Sequence, residues 1–137
     1  MKKNKFDTAL ITGASSGIGR ALAIELSKKS TFIYLTGRNK KELINTAEML
    51  DCESSISVAD LSTKSGVTKI SNIIEEENID LLINNAGFGS GGYFHKRNIE
   101  KEISLIDTNV DAVVSLTYAY INKAINTERQ GAVLNVG

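Results

Sequence analysis

The residues best suited to chemistry form one continuous segment, Thr12-Gly13-Ala14-Ser15-Ser16-Gly17-Ile18-Gly19. Its glycines have G-x-x-x-G-x-G spacing, follow a short apolar run and open a stretch of helical periodicity. Amide groups at a helix start have no acceptor within the helix, and the helix dipole adds positive potential there. A diphosphate fits such a turn. Gly13 permits the tight bend, Gly17 lets backbone approach phosphate, and Gly19 lets the helix lie against the sheet. Ala14 and Ile18 complete the cradle, and the Ser15 and Ser16 hydroxyls are available as donors. The spacing is not G-x-G-x-x-G, and the Gly-Lys-Ser/Thr ending of an ATP-binding loop is missing. Taken alone, these residues also fit a plain glycine-rich strand-to-helix turn.

A second group lies at Thr36-Gly37-Arg38-Asn39, after an apolar run. In dinucleotide folds an acid at this tip accepts from the ribose 2′-OH of NAD, and an arginine accommodates the 2′-phosphate of NADP. Gly37 stands where the acid would be and Arg38 follows, with Lys40 and Lys41 adding positive potential. A guanidinium fork suits a phosphate dianion, so NADP(H) is expected over NAD(H). A solvated turn arginine is the bland alternative.

Other candidates are weaker one by one. Asp60 suits a helix N-cap, Asn85 and Gly87 suit a turn, and Asn109 reads as a solvated helix residue. His95, the single histidine, has no visible partner and is expected in solvent. Phe88, Tyr93 and Phe94 read either as the wall of a substrate pocket or as a local apolar cluster. Glu75-Glu76-Glu77 ends a predicted helix, where acidic charge opposes the dipole, and is expected to be solvated.

These residues need elements to hold them. Apolar runs predict strands over residues 8–11, 31–36, 55–58, 80–84 and 132–136. Helical spacing predicts helices over 18–28, 40–50, 63–77 and 99–124, with a glycine-rich loop over 87–92. Apolar strands alternating with amphipathic helices imply parallel βαβ units, an α/β fold with a Rossmann-like doubly wound sheet of about five strands. No proline interrupts the helices.

Bulk properties narrow the classes. The 137 residues suit one domain. Sixteen basic residues balance sixteen acidic ones, which leaves no field to draw nucleic acid or an anionic membrane. Lone Cys52 forms no internal disulfide and reads as a semi-buried residue of a reducing compartment. No long apolar run follows the basic start of residues 1–5, the next being only Ala9-Leu10-Ile11, and no run approaches a membrane span. A cytoplasmic location is expected.

With its segments in order, the chain resembles the short-chain dehydrogenase/reductase family from Thr8 to Gly137. Residues 12–19 match its T-G-x-x-x-G-x-G motif, Asp60-Leu61 its adenine-holding pair, Asn84-Asn85-Ala86-Gly87 its N-N-A-G motif, and Asn109 its active-site asparagine. The resemblance implies that Asp60 accepts from the adenine amine and that residues 85–87 steady the sheet and set backbone against the ribose. It implies that Asn109 holds a water in a proton relay. It further implies hydride transfer between NADP(H) and a carbonyl or alcohol substrate, in a full-length form that is a homo-oligomer. The family's serine after strand five and its Y-x-x-x-K pair have no match in these 137 residues. Tyr34, Tyr93, Tyr118 and Tyr120 are followed four positions on by Arg38, Arg97, Asn122 and Ala124. The chain therefore reads as a cofactor-binding part ending before the catalytic serine and tyrosine, inactive alone. It is expected to leave strand five as an unpaired edge beside bare apolar surface. A non-catalytic module that senses or sequesters NADP(H) is the alternative. A methyltransferase-like domain would share the glycine turn but not Arg38 or the N-N-A-G match.

Overall fold

The computed structural model describes residues 6–137. The basic start, residues 1–5, lies outside the described residues. Five strands form one parallel sheet: β1 (Thr8–Ile11), β2 (Phe32–Gly37), β3 (Glu53–Val58), β4 (Leu81–Asn84) and β5 (Ala132–Asn135). The helices between them are α1 (Gly17–Ser27), α2 (Lys40–Glu48), α3 (Lys64–Glu76), α4 (Ile99–Ile106) and α5 (Ala112–Asn126).

Strand order is β3-β2-β1-β4-β5. The chain steps outward from β1 to β3, then returns past β1 to lay down β4 on its other side. The connections leaving β1 and β4 therefore run to opposite faces of the sheet, toward α1 and α5, and such a switch point is where open α/β sheets bind ligands.

Both sheet faces are covered. In β1, Leu10 points to one side and Ala9 and Ile11 to the other; in β4, Leu82 opposes Leu81 and Ile83. Leu10 and Leu82 pack with Ile70, Ile74 and Leu116 of α3 and α5. Ala9, Ile11, Leu81 and Ile83 pack with Ala23 and Leu43 of α1 and α2. Two-sided burial explains why these strands read as continuous apolar runs.

The predicted elements all form, with shifted ends. β3 starts at Glu53, earlier than its composition suggests, because Glu53 and Ser54 pair with Phe32 and Ile33 of β2. The predicted continuous helix over 99–124 is instead α4, a five-residue π turn (Asp107–Asp111) and α5. The Ala112 amide reaches back to the Asp107 carbonyl, which widens the turn at Asn109. Such bulges gather at functional sites. A 3-10 turn, Phe94–Lys96, occupies the predicted loop.

β5 pairs with β4 alone, and Leu134 is 42% exposed. Ile99, Ile103, Ile106, Val110, Val114, Tyr118, Ile121 and Ile125 run exposed along α4, the π turn and α5. Among the described residues β5 is thus the unpaired edge expected from the sequence. Among the described residues, no helix is long and apolar enough to cross a membrane.

Candidate functional site

A cleft of about 1410 Å³ opens at the C-terminal ends of the strands. Every strand tip contributes: Gly13 beyond β1, Arg38 beyond β2, Asp60 beyond β3, Asn85 beyond β4 and Val136 beyond β5.

The turn after β1 is tied down from two sides. Thr12 Oγ1 accepts from the Asn85 and Ala86 amides at 3.0 and 2.9 Å. Asn85 Nδ2 returns the bond, donating to the Thr12 and Gly13 carbonyls at 3.1 Å each. Gly13 has φ +64°, and a Cβ there would lie 2.8 Å from the Ala86 Cα. Only glycine meets both demands. A Cβ on Gly19 would stand 2.2 Å from the Gly13 carbonyl oxygen, so α1 can begin this close to the turn only without a side chain.

What remains is a row of donors. The Ala14 amide is spent on the Thr36 carbonyl at 3.0 Å. The amides of Ser15, Ser16, Gly17, Ile18 and Gly19 have no acceptor among the described residues. Ser16 is the N-cap residue of α1 but makes no side-chain capping bond among these residues. α2 and α3, by contrast, are capped by the Asn39 and Thr63 side chains. Gly17 has φ +54°, with open space where its side chain would be.

Arg38, Lys40 and Lys41 are exposed around the β2 end of the cleft. The Arg38 guanidinium carbon lies 5.9 Å from the Phe88 ring centroid, spanning the mouth from the β2 lip to the β4 lip. Gly37 leaves room beside Ser15, whose hydroxyl would be 3.3 Å from any added Cβ. Asp60 Oδ1 accepts from the Ser62 amide and hydroxyl at 2.9 and 2.7 Å, and Oδ2 has no donor among the described residues. Burial pushes the Asp60 carboxyl up, but the two Ser62 bonds and the Arg38 charge outweigh it and hold it below the usual range. The N-cap of α3 is Thr63, so the capping reading of Asp60 fails. Leu61 is buried and lines the cleft floor.

Asn109 is not a solvated helix residue. Its Oδ1 accepts from the Phe88 amide at 3.0 Å and its Nδ2 donates to the Phe88 carbonyl at 2.8 Å. A Cβ on Gly87 would lie 2.7 Å from that Oδ1, so Gly87 keeps the approach open. The side chain of Asn109 thus holds the β4 loop, with both polar ends occupied.

Sequence reasoning missed some residues. Thr12 is the hub of the turn, and Arg20 and Thr46 bind it from behind; only Thr12 lay in a motif. Asn84 Nδ2 bridges Thr117 and Asn135 at 3.0 and 2.9 Å. Asn84 Oδ1 and Thr36 Oγ1 are buried without a partner among the described residues, and both residues line the cleft. Phe88 also lines it. Tyr93 and Phe94 are 73% and 70% exposed, pair with Lys96 and Arg97, and are not wall residues of this cleft. His95 is exposed beside Tyr93, as expected. Glu75 and Glu76 are solvated, while Glu77 sits against the Tyr34 hydroxyl.

The donor row, the room at Gly37 and the free carboxylate oxygen of Asp60 fit an adenine dinucleotide. Comparison with known proteins agrees. The family of short chain dehydrogenases matches residues 7–137. The 3-ketodihydrosphingosine reductase of Bacteroides thetaiotaomicron is 39% identical over 133 residues, which are 93% of this chain and 45% of that protein. The very-long-chain 3-oxoacyl-CoA reductase of Laccaria bicolor is 28% identical over 137 residues, 94% of this chain and 40% of its own. A short-chain dehydrogenase from Sphingobium yanoikuyae, solved in complex with NADPH, superposes with a TM-score of 0.86 at 30% identity, covering 95% of this chain and 52% of that one. The chain spans about half the length of the relatives it matches.

Proposed function

The chain belongs to the short chain dehydrogenase family, a family of oxidoreductases, and from that premise we propose that it binds NADP(H) in preference to NAD(H). The full-length protein then passes hydride between that cofactor and a carbonyl or alcohol carbon. The observation that carries the reading is the row of amides over residues 15–18, without acceptors among the described residues and lining a cleft whose β2 lip holds Arg38 and no carboxylate.

Residues 13–19 fold around the diphosphate, which the free amides from Ser15 onward receive, aided by the Ser15 and Ser16 hydroxyls. Arg38 takes the 2′-phosphate, with Lys40 and Lys41 deepening the positive potential. The free Oδ2 of Asp60 accepts from the adenine amine, and Leu61 packs under the ring. Asn85, Ala86 and Gly87 set backbone along the ribose. Asn109 serves the active site, orienting the 87–88 segment and contributing to the hold on a relay water. When bound, the nicotinamide supplies or accepts the hydride. The alkoxide formed on carbonyl reduction needs a proton from a positioned acid, and no Tyr-x-x-x-Lys pair lies in these 137 residues. We therefore expect no turnover from them alone. The lone half-buried Cys52 supports a cytoplasmic location, and the apolar side chains along α4 and α5 support a homo-oligomer.

Titration of the full-length protein with NADPH and NADH tests the cofactor reading. NADPH is expected to bind at least about tenfold more tightly, and Arg38→Asp to reverse the preference. An unchanged ratio in that variant would overturn the role of Arg38.

A further inference from the structure

Trans peptide geometry sets C=O and N–H of one unit in opposite directions. Whatever grips a carbonyl in the glycine-rich turn therefore aims the next residue's amide. Four successive carbonyls are gripped by side chains. Asn85 holds those of Thr12 and Gly13. Thr46 Oγ1 donates to that of Ala14 at 2.9 Å. Arg20 Nη2 donates to that of Ser15 at 2.5 Å.

The last two grips share one anchor. Arg20 sits on α1 directly after Gly19 and reaches α2 rather than the cleft. Its Nε donates to Thr46 Oγ1 at 2.9 Å, and its Nη2 pairs with Glu42 Oε2 at 2.6 Å. Thr46 is fully buried. Its hydroxyl has one proton, and a guanidinium donating to the oxygen leaves that proton for a carbonyl. The Ala14 carbonyl, at 2.9 Å, is nearer than the Glu42 carbonyl at 3.1 Å. Glu42 in turn keeps the guanidinium in place.

We propose that Arg20 is the positioning residue of the diphosphate turn. Through Thr46 it fixes the Ala14–Ser15 peptide, and directly it fixes the Ser15–Ser16 peptide. The Ser15 and Ser16 amides are thereby held toward the cleft. Without Arg20 the Ser15–Ser16 plane loses its side-chain grip and the Thr46 proton can turn from the Ala14 carbonyl to that of Glu42, and a rotated plane offers a carbonyl oxygen to the phosphates. The proposal rests on the reading of this turn as a diphosphate site.

The test compares two ligands on the full-length protein: NADPH, and adenosine 2′-phosphate, which lacks the diphosphate. Arg20→Leu and Thr46→Val are expected to weaken NADPH about ten- to a hundredfold and to leave adenosine 2′-phosphate within about twofold. Thr46→Ser restores NADPH affinity, because the hydroxyl returns. Arg20→Lys does not, because one ammonium cannot span Thr46 and Ser15 together. The double variant Arg20→Leu/Thr46→Val is expected within about threefold of Arg20→Leu, since both act on one chain of bonds. Equal loss of both ligands in Arg20→Leu, or wild-type NADPH affinity, overturns the proposal. If that variant does not fold, equal NADPH affinity in Thr46→Val and Thr46→Ser overturns it instead. A wild-type protein that binds adenosine 2′-phosphate but not NADPH refutes the diphosphate reading itself.

Discussion

Gly17 and Gly19 lie two residues apart in one motif, yet alanine should damage the protein in opposite ways at the two positions. At Gly19 the added Cβ would stand 2.2 Å from the Gly13 oxygen and 2.4 Å from Asn85 Nδ2. Both contacts must open by roughly 1 Å to reach ordinary separation. Overpacking of this kind costs about 1–3 kcal/mol. The displaced Asn85 amide also loses its bonds to the Thr12 and Gly13 carbonyls, at about 0.5–1.5 kcal/mol each. The sum is about 2–6 kcal/mol, enough to lower Tm by roughly 5–20 °C in a full-length protein. At Gly17 nothing lies within 4 Å of the added methyl, and the cost is the left-handed backbone at φ +54°, about 1–2 kcal/mol. The methyl instead fills open space beside the donor row. Gly17→Ala should therefore lower Tm by only about 2–8 °C while weakening NADPH more than about tenfold. Thermal melts and fluorescence titration of the two full-length variants measure both numbers. If Gly17→Ala binds NADPH as the wild type does, the space at Gly17 is not where phosphate rests. If Gly19→Ala melts no earlier than Gly17→Ala, the close packing of α1 on the turn does not constrain the fold.

Two further outcomes follow from individual bonds. Asn109→Asp keeps an acceptor for the Phe88 amide but points a carboxylate at the Phe88 carbonyl, where Nδ2 now donates; a loss of about 1–3 kcal/mol is expected in urea denaturation, and unchanged stability would mean that the amide pair does not form. Burial, then the Glu77 hydrogen bond and charge, push the Tyr34 hydroxyl up to about 12. Its folded value therefore exceeds the unfolded one of about 10, so its contribution to stability is complete below about pH 10 and is lost as pH rises toward about 12. Urea midpoints between about pH 9 and 11 should fall less steeply in Tyr34→Phe than in the wild type, and parallel profiles would show that the hydroxyl is not held by its surroundings.

The sequence was legible where one residue has one task. Two-sided burial made β1, β2 and β4 plain, because both faces of each strand are apolar. The turn glycines were plain because positive φ and a missing Cβ are demands few other residues meet. What stayed hidden was either tertiary or shared. The start of β3 is set by its pairing partner, not by Glu53 and Ser54 themselves. The π turn at Asn109 depends on one shifted backbone bond that no side chain announces. Arg20, Glu42 and Thr46 are ordinary surface-helix residues by composition, and only the packing of α1 beside α2 makes them one unit. Tyr93 and Phe94 fitted a pocket wall or a local apolar cluster equally well by type, and only the course of the loop shows both rings exposed.

The two ends of the sheet treat polar groups in opposite ways, and that contrast locates the site more firmly than any motif. At the N-terminal end, Asp80 closes the structure. Its Oδ2 accepts from the Asp7 and Thr8 amides at 3.1 Å each, its Oδ1 pairs with Arg129 at 2.7 Å, and its carbonyl accepts from Tyr120 Oη at 2.7 Å and the Ala132 amide at 2.9 Å. Gly131 packs so tightly there that a Cβ would meet the Tyr120 hydroxyl. At the C-terminal end, five successive amides, one oxygen of Asp60 and the buried oxygens of Thr36 and Asn84 lack partners among the described residues. A chain that pays the desolvation cost of aligned donors and leaves them unmatched gains nothing in folding. At the opposite end Asp80 instead matches amides, a guanidinium and a hydroxyl with its own oxygens. The unmatched end is therefore the one shaped by a ligand, and the signs of its groups describe that ligand. On the proposed function, the amide donors would meet a diphosphate, the carboxylate oxygen an amine, and the guanidinium with two ammonium groups a further phosphate. The proposed dinucleotide, with its extra phosphate, would satisfy all three at once.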